Sequence, residues 1–134
     1  MLWEGTYPPE DKCCGAVRHA SALQLRDVGV ATELLDNVVL VLGELVANAI
    51  RHAHTEFTAG VDAAPTWLRV EVFDTGSLPP VLVRRGADAT SGRGLHIVSG
   101  LCAEWGWHAT ARDGRNGKTV WAEFTRDEDA ELRA

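Results

Sequence analysis

The sequence predicts an α+β domain: a two-layer α/β sandwich with helices packed on one face of a mixed, mostly antiparallel sheet. Three stretches carry that expectation. Residues 32–53 repeat apolar side chains at the helical period, with Leu34, Val38, Val41, Leu42, Leu45 and Ala49 on one side. TWLRVEVFD (66–74) alternates apolar Trp67, Leu68, Val70, Val72 and Phe73 with polar Arg69, Glu71 and Asp74, as a half-buried strand does. WGWHATAR (105–112) and KTVWAEFT (118–125) flank DGRNG, a strong hairpin-turn signal.

The other elements follow in order. WEGTY (3–7) reads as a short strand ended by Pro8 and Pro9. Residues 11–27 carry a moderately helical pattern, with Ala16, Ala20 and Leu23 as a weak apolar face, and Gly29 breaks it. Thr32 is expected to cap the long helix. Residues 56–61 are short and ambiguous. Gly76, Pro79 and Pro80 stop the alternating strand, and 77–92, with Gly86 and Gly92, read as a loop. A helix is expected over 94–103, with Leu95, Val98 and Leu101 on one face. The acidic tail, 126–134, is expected to fray. No repeat or linker divides the chain, so residues 1–134 are expected to form one domain. The order β–α–α–β–β–loop–α–β–β suits helices segregated to one face of a sheet.

Composition narrows the function. The 134 residues suit a single core, and 46% hydrophobic against 24% charged residues is an ordinary globular balance. No apolar run approaches the roughly 20 residues that span a bilayer. MLWEGTYPPEDK lacks a basic stretch followed by an apolar one, so no secretory signal is expected. A cytoplasmic protein without membrane association is the expectation. The net charge is −6, and the clearest basic cluster, Arg84–Arg85, is isolated, so direct DNA binding is not expected. Cys13, Cys14 and Cys102 are too few and badly spaced for a disulfide framework or a metal centre.

ELVANAIRHA (44–53) places Glu44, Asn48 and His52 four apart inside an apolar stretch. At about 100° per residue, Glu44 and Asn48 fall beside the apolar side and His52 just inside it. They would line a crevice where helix meets sheet, with Arg51 further toward solvent. The pattern fits an ordinary helix margin. It also fits metal–phosphate chemistry. Mg²⁺ takes hard oxygen ligands such as an Asn carbonyl, and a carboxylate one turn away can accept a proton from an attacking hydroxyl.

Two glycine segments add to this. VEVFDTG (70–76) ends its strand at Asp74, with Gly76 two residues on. That arrangement fits a simple turn, or a carboxylate accepting from an exocyclic amine beside a glycine that admits a ligand. SGRGLHIV (91–98) places Gly92 and Gly94 at a helix start with Arg93 between them. Helix-terminal N–H groups and a guanidinium both suit phosphate, as the segment also suits a plain loop. GKT (117–119) is not a P-loop, because it follows a hairpin turn and opens a strand. Thr119 either offers a hydroxyl to a ligand on the sheet or is a β-branched strand residue.

In this order ELVANAIRHA resembles the N box, VEVFDTG the first glycine box and SGRGLHIV the second glycine box of the GHKL, or Bergerat-fold, ATPases. Within that superfamily the chain is most similar to the small bacterial anti-sigma-factor serine/threonine kinases and their actinobacterial ATP-binding relatives. WGW…GKTVWAEF is similar to the end of those proteins, and the resemblance runs from about residue 11 to about residue 125. It implies a histidine-kinase-like ATPase fold with ATP and Mg²⁺ between helices and sheet. Asn48 would be the Mg²⁺ ligand, Glu44 the general base and Arg93 a second catalytic residue at the phosphates. Asp74 would hold the adenine amine, with Gly76 beside the base and Thr119 hydrogen-bonding nearby. His52, Gly92, Gly94 and Leu95 would complete the nucleotide contacts, and 77–92 would be the ATP lid.

The implied function is that of an ATP-binding regulatory protein: an anti-sigma-factor serine/threonine kinase that sequesters a sigma factor and phosphorylates its antagonist. Leu78 stands where the first glycine box has its second glycine, Thr90 where the kinase group has a lid arginine, and the lid is short. These departures support an alternative, an ATP-binding anti-sigma or other partner-binding module without kinase activity. A two-component sensor kinase would need a phosphoacceptor helix pair and a sensor, for which 134 residues leave no room. The N-terminal strand could pair across a homodimer.

Overall fold

The computed structural model describes residues 1–76 and 98–127. The elements are β1 (Trp3–Tyr7), α1 (Lys12–Asp27), α2 (Thr32–His52), β2 (Phe57–Ala63), β3 (Trp67–Asp74), β4 (Glu104–Arg112) and β5 (Arg115–Thr125). Residues 98–101 are also helical; residues 102 and 103, expected to continue that helix, are bends leading into β4, and 94–97 lie outside the described residues. Among the described residues no helix is long and apolar enough to cross a membrane.

The five strands form one sheet in the order β1-β2-β3-β5-β4. Each of its four pairings is antiparallel. Strand alternation explains the two layers. Val61, Val70 and Ala122 stand side by side on one face, as do Ala59, Val72 and Val120, because side chains of period two keep one row inward. α2 covers that face with Leu35, Val38, Leu42, Leu45, Val46 and Ala49, all buried, and Val17 and Leu25 of α1 are sealed completely. Burying each such Val or Leu contributes roughly 1.5–3 kcal/mol, so helix packing, rather than local propensity, holds the upper layer.

Several boundaries differ from the sequence reading. Ala31, not Thr32, is the N-cap of α2, and no side chain caps it. The buried face of α1 is Cys13, Val17, Ser21 and Leu25, a stripe at steps of four. Leu23 is 46% exposed instead. Ser21 is tolerated inside because its hydroxyl donates to the Arg18 carbonyl. The hairpin turn contracts to two residues, Asp113 at φ 51° and Gly114 at φ 77°, the left-handed pair that matches strand twist. β5 therefore starts at Arg115. The tail is anchored where it begins: Arg126 donates to the Val28 carbonyl at 2.7 Å and to the Ala64 carbonyl at 3.3 Å. Residues 128–134 lie outside the described residues.

The sheet face away from the helices is polar and aromatic. Arg69 lies 4.5 Å from the Trp121 ring centroid and 2.8 Å from Glu123. Gly106 stands opposite Trp121, and a methyl there would come within 2.9 Å of the indole. The tip of the β4–β5 hairpin is tied to the other side of the sheet by Arg112–Glu4 and Arg115–Glu56 ion pairs.

Candidate functional site

The site starts at the C-terminal half of α2. Glu44, Asn48 and His52 are each half-buried, while Leu45, Val46 and Ala49 between them are buried and Arg51 is exposed. The polar stripe thus runs along one margin of the buried arc. The other margin is occupied by α1: a methyl on Gly43 would lie 3.2 Å from Arg18 Cδ. Hence the stripe faces away from α1. The helix closes with the Ala53 N–H on the Ala49 carbonyl, and His54 at φ 55° turns the chain toward β2.

Asp74 ends β3 on the helix-facing side of the sheet, in the same row as Leu68, Val70 and Val72. It is 1% exposed. Its Oδ1 accepts from the Gly76 N–H at 2.9 Å and from Lys118 Nζ at 2.7 Å. Lys118 is directly opposite Asp74 in the β3–β5 register and is buried too. Gly76 lies between this pair and the end of α2. A methyl on it would sit 3.0 Å from Ala53 Cβ, 3.0 Å from Asp74 Oδ1 and 3.2 Å from Lys118 Nζ. Asp74, Gly76 and Lys118 are therefore brought against the end of α2 at Ala53. Asn48 is five residues before Ala53, about 7 Å along the helix axis at 1.5 Å per residue.

Thr119 does not join them. Neighbouring strand residues point to opposite faces, so Thr119 sits on the far face, where Thr110 Oγ1 donates to its Oγ1 at 3.0 Å. Thr119, expected from the resemblance near Asp74, is thus not on its side of the sheet; Lys118 is beside Asp74 instead, and sequence reading passed over it. The signal was present: with Val120, Ala122 and Phe124 inward, Lys118 shares their parity. Gly117 is needed for the close approach of the strands, since any Cβ there would strike the Asp74 carbonyl. Gly92, Arg93, Gly94, Leu95 and the proposed lid, 77–92, lie outside the described residues.

Other chemistry is sparse. Among the described residues no group of His, Cys, Asp and Glu converges as a metal site. Burial pushes the Cys14 and Cys102 thiols up from their ordinary range, which favours the unreactive neutral form. A cavity of about 140 Å³ lies on the far face, among Thr6, Thr58, Phe73 and the hairpin tip. Its two arginines, Arg112 and Arg115, are already paired with Glu4 and Glu56.

Residues 8–124 match the family described as histidine kinase-like ATPase domain. The chain belongs to the histidine kinase-like ATPase family. A solved histidine kinase domain, from the Erythrobacter litoralis EL346 blue-light activated histidine kinase, is 18% identical, with a TM-score of 0.47. The match covers 89% of this chain and 63% of that one. No curated protein matches the chain. For a histidine kinase-like ATPase domain the residues present fit a nucleotide. A buried carboxylate at a strand end can accept from a base amine, and Gly76 packs against it with no room for a side chain of its own. The half-buried Asn48 can offer one hard oxygen to Mg²⁺, which takes its other ligands from phosphate and water.

Proposed function

We propose that this histidine kinase-like ATPase domain binds ATP with Mg²⁺ in the crevice between α2 and the sheet, and acts as an anti-sigma-factor serine/threonine kinase. The observation that carries the nucleotide reading is the buried Asp74 carboxylate beneath Gly76, against the end of the helix that bears Glu44 and Asn48. Bound Mg-ATP would supply the transferable phosphoryl group. In this reading Asp74 accepts from the base amine and Asn48 holds the cation. Glu44 takes the proton from the serine or threonine hydroxyl of an antagonist protein. Arg93, with Gly92, Gly94 and Leu95, serves the phosphates, and 77–92 covers them. A sigma factor is the proposed regulatory partner. β1, paired among the described residues with β2 alone, offers a place for a second copy to add.

Titration calorimetry with ATP and ADP, with and without Mg²⁺, tests the nucleotide step. The expected result is Mg²⁺-dependent ATP binding; folded protein that binds neither nucleotide would sink the reading. Phosphotransfer to a cognate antagonist, compared between wild type and Glu44→Ala, tests the kinase step. Thr90 in the place of a lid arginine favours the second reading, a partner-binding module in which ATP is only a structural or switching ligand. Equal sigma-factor binding and no phosphotransfer by both proteins would select it.

A further inference from the structure

A carboxylate alone matches one atom of a base edge. Here the carboxylate is not alone. Lys118 Nζ stands 2.7 Å from Asp74 Oδ1, and the two side chains are 7% and 2% exposed. Among the described residues Lys118 has a single acceptor, Asp74 Oδ1, although an ammonium carries three N–H donors. Both contacts to Asp74 converge on Oδ1, leaving Oδ2 outside them. The pair therefore presents an acceptor beside a donor, in a place where unmatched polar groups are penalised. Gly76 packs directly on the same pair, since a methyl on it would lie 3.2 Å from Lys118 Nζ and 3.0 Å from Asp74 Oδ1.

We infer that Lys118 is a base-reading residue. With Asp74 it recognises the aminopurine edge, which offers a donor beside an acceptor: Asp74 accepts from the exocyclic amine and Lys118 donates to a ring nitrogen flanking it. The inference rests on the crevice being a nucleotide site, and it adds a specificity determinant to that site. It explains why an ammonium is held in a nearly dry position where burying a charge is otherwise unfavourable. A ligand edge that satisfies both groups is favoured over one that leaves either unpaired.

The test compares ATP with 1-deaza-ATP and 7-deaza-ATP, each lacking one ring nitrogen beside the amine, by titration calorimetry. Wild type is expected to lose about tenfold or more in affinity for one of the two analogues, the scale of one buried hydrogen bond. Lys118→Met is expected to bind ATP and that analogue alike. Lys118→Gln, which keeps a neutral donor, is expected to retain part of the discrimination and serves if the methionine variant fails to fold. A purely structural ion pair would not move this readout. Equal binding of ATP and both analogues by wild type would overturn the inference without any variant. Undiminished discrimination in a folded Lys118 variant would overturn it as well. Both outcomes leave ATP binding intact. Failure of every nucleotide to bind wild type would instead remove the nucleotide reading itself, and this inference with it.

Discussion

Asp74 and Lys118 face each other across β3 and β5, with Nζ 2.7 Å from Oδ1 and both side chains nearly sealed from solvent. A pair so placed is sensitive to removal of one partner, because the survivor is left as an uncompensated buried charge. Asp74→Asn is expected to lower unfolding free energy by about 3 kcal/mol. Adding Lys118→Met to it is expected to recover much of that loss, since two neutral groups then share the site. Urea unfolding of the two single variants and the double variant measures the coupling. Additive losses would mean that the pair is not a unit.

The strand junction beneath that pair has no room for a side chain. A Cβ on Gly117 would collide with the Asp74 carbonyl, a backbone atom that cannot swing aside as a side-chain tip can. Gly117→Ala is expected to destabilise by about 3 kcal/mol, the upper part of the range for overpacking. Thermal unfolding checks it. A change within a few tenths of a degree of wild type would show that the β3–β5 junction relaxes freely.

The polar stripe on α2 allows a separation of stability from binding. Asn48 is half-buried at the helix margin, so Asn48→Ala removes little packing and is expected to change stability by less than about 0.5 kcal/mol. It is expected to weaken Mg²⁺-dependent ATP binding by about tenfold or more, through the lost hard-oxygen ligand. Parallel calorimetry and denaturation resolve the two. A large stability loss with unchanged affinity would assign Asn48 to the scaffold.

Two partly buried thiols make stability decline at alkaline pH. Desolvation raises Cys14 and Cys102 above their ordinary value of 9.0. A raised folded value means that the unfolded chain releases its thiol protons first. The stabilisation is thus fully present below about pH 9 and is lost as pH rises through the folded values. Unfolding from about pH 8 to about pH 10 should show a stability decline that Cys14→Ser and Cys102→Ser each reduce. Alkylation of native protein at neutral pH should be slow compared with the unfolded chain.

The α+β class, the long helix and the hairpin were legible because each rests on a period that a linear chain displays: 3.6 residues for α2, two for β3 and β5, and a Gly-bearing turn for β4–β5. α1 was harder to read, because its stripe includes Cys13 and Ser21, neither of which registers as strongly apolar. The N-cap was misplaced by one residue because Thr32, a good capping residue type, lies inside a helix whose actual cap is Ala31.

By itself the sequence determined the layers, the half-buried margin holding Glu44, Asn48 and His52, and the placing of Asp74 at a strand end. These follow from local periodicity, which sets direction within an element. Which side chain meets Asp74 was decided only in the tertiary structure. Residues 74 and 118 are far apart in the chain, and one step of register exchanges Lys118 for Thr119 by turning every side chain of β5 to the other face. The packed core selects the register that buries Val120, Ala122 and Phe124. That selection carries Lys118 into the crevice and leaves Thr119 bonded to Thr110 on the far side.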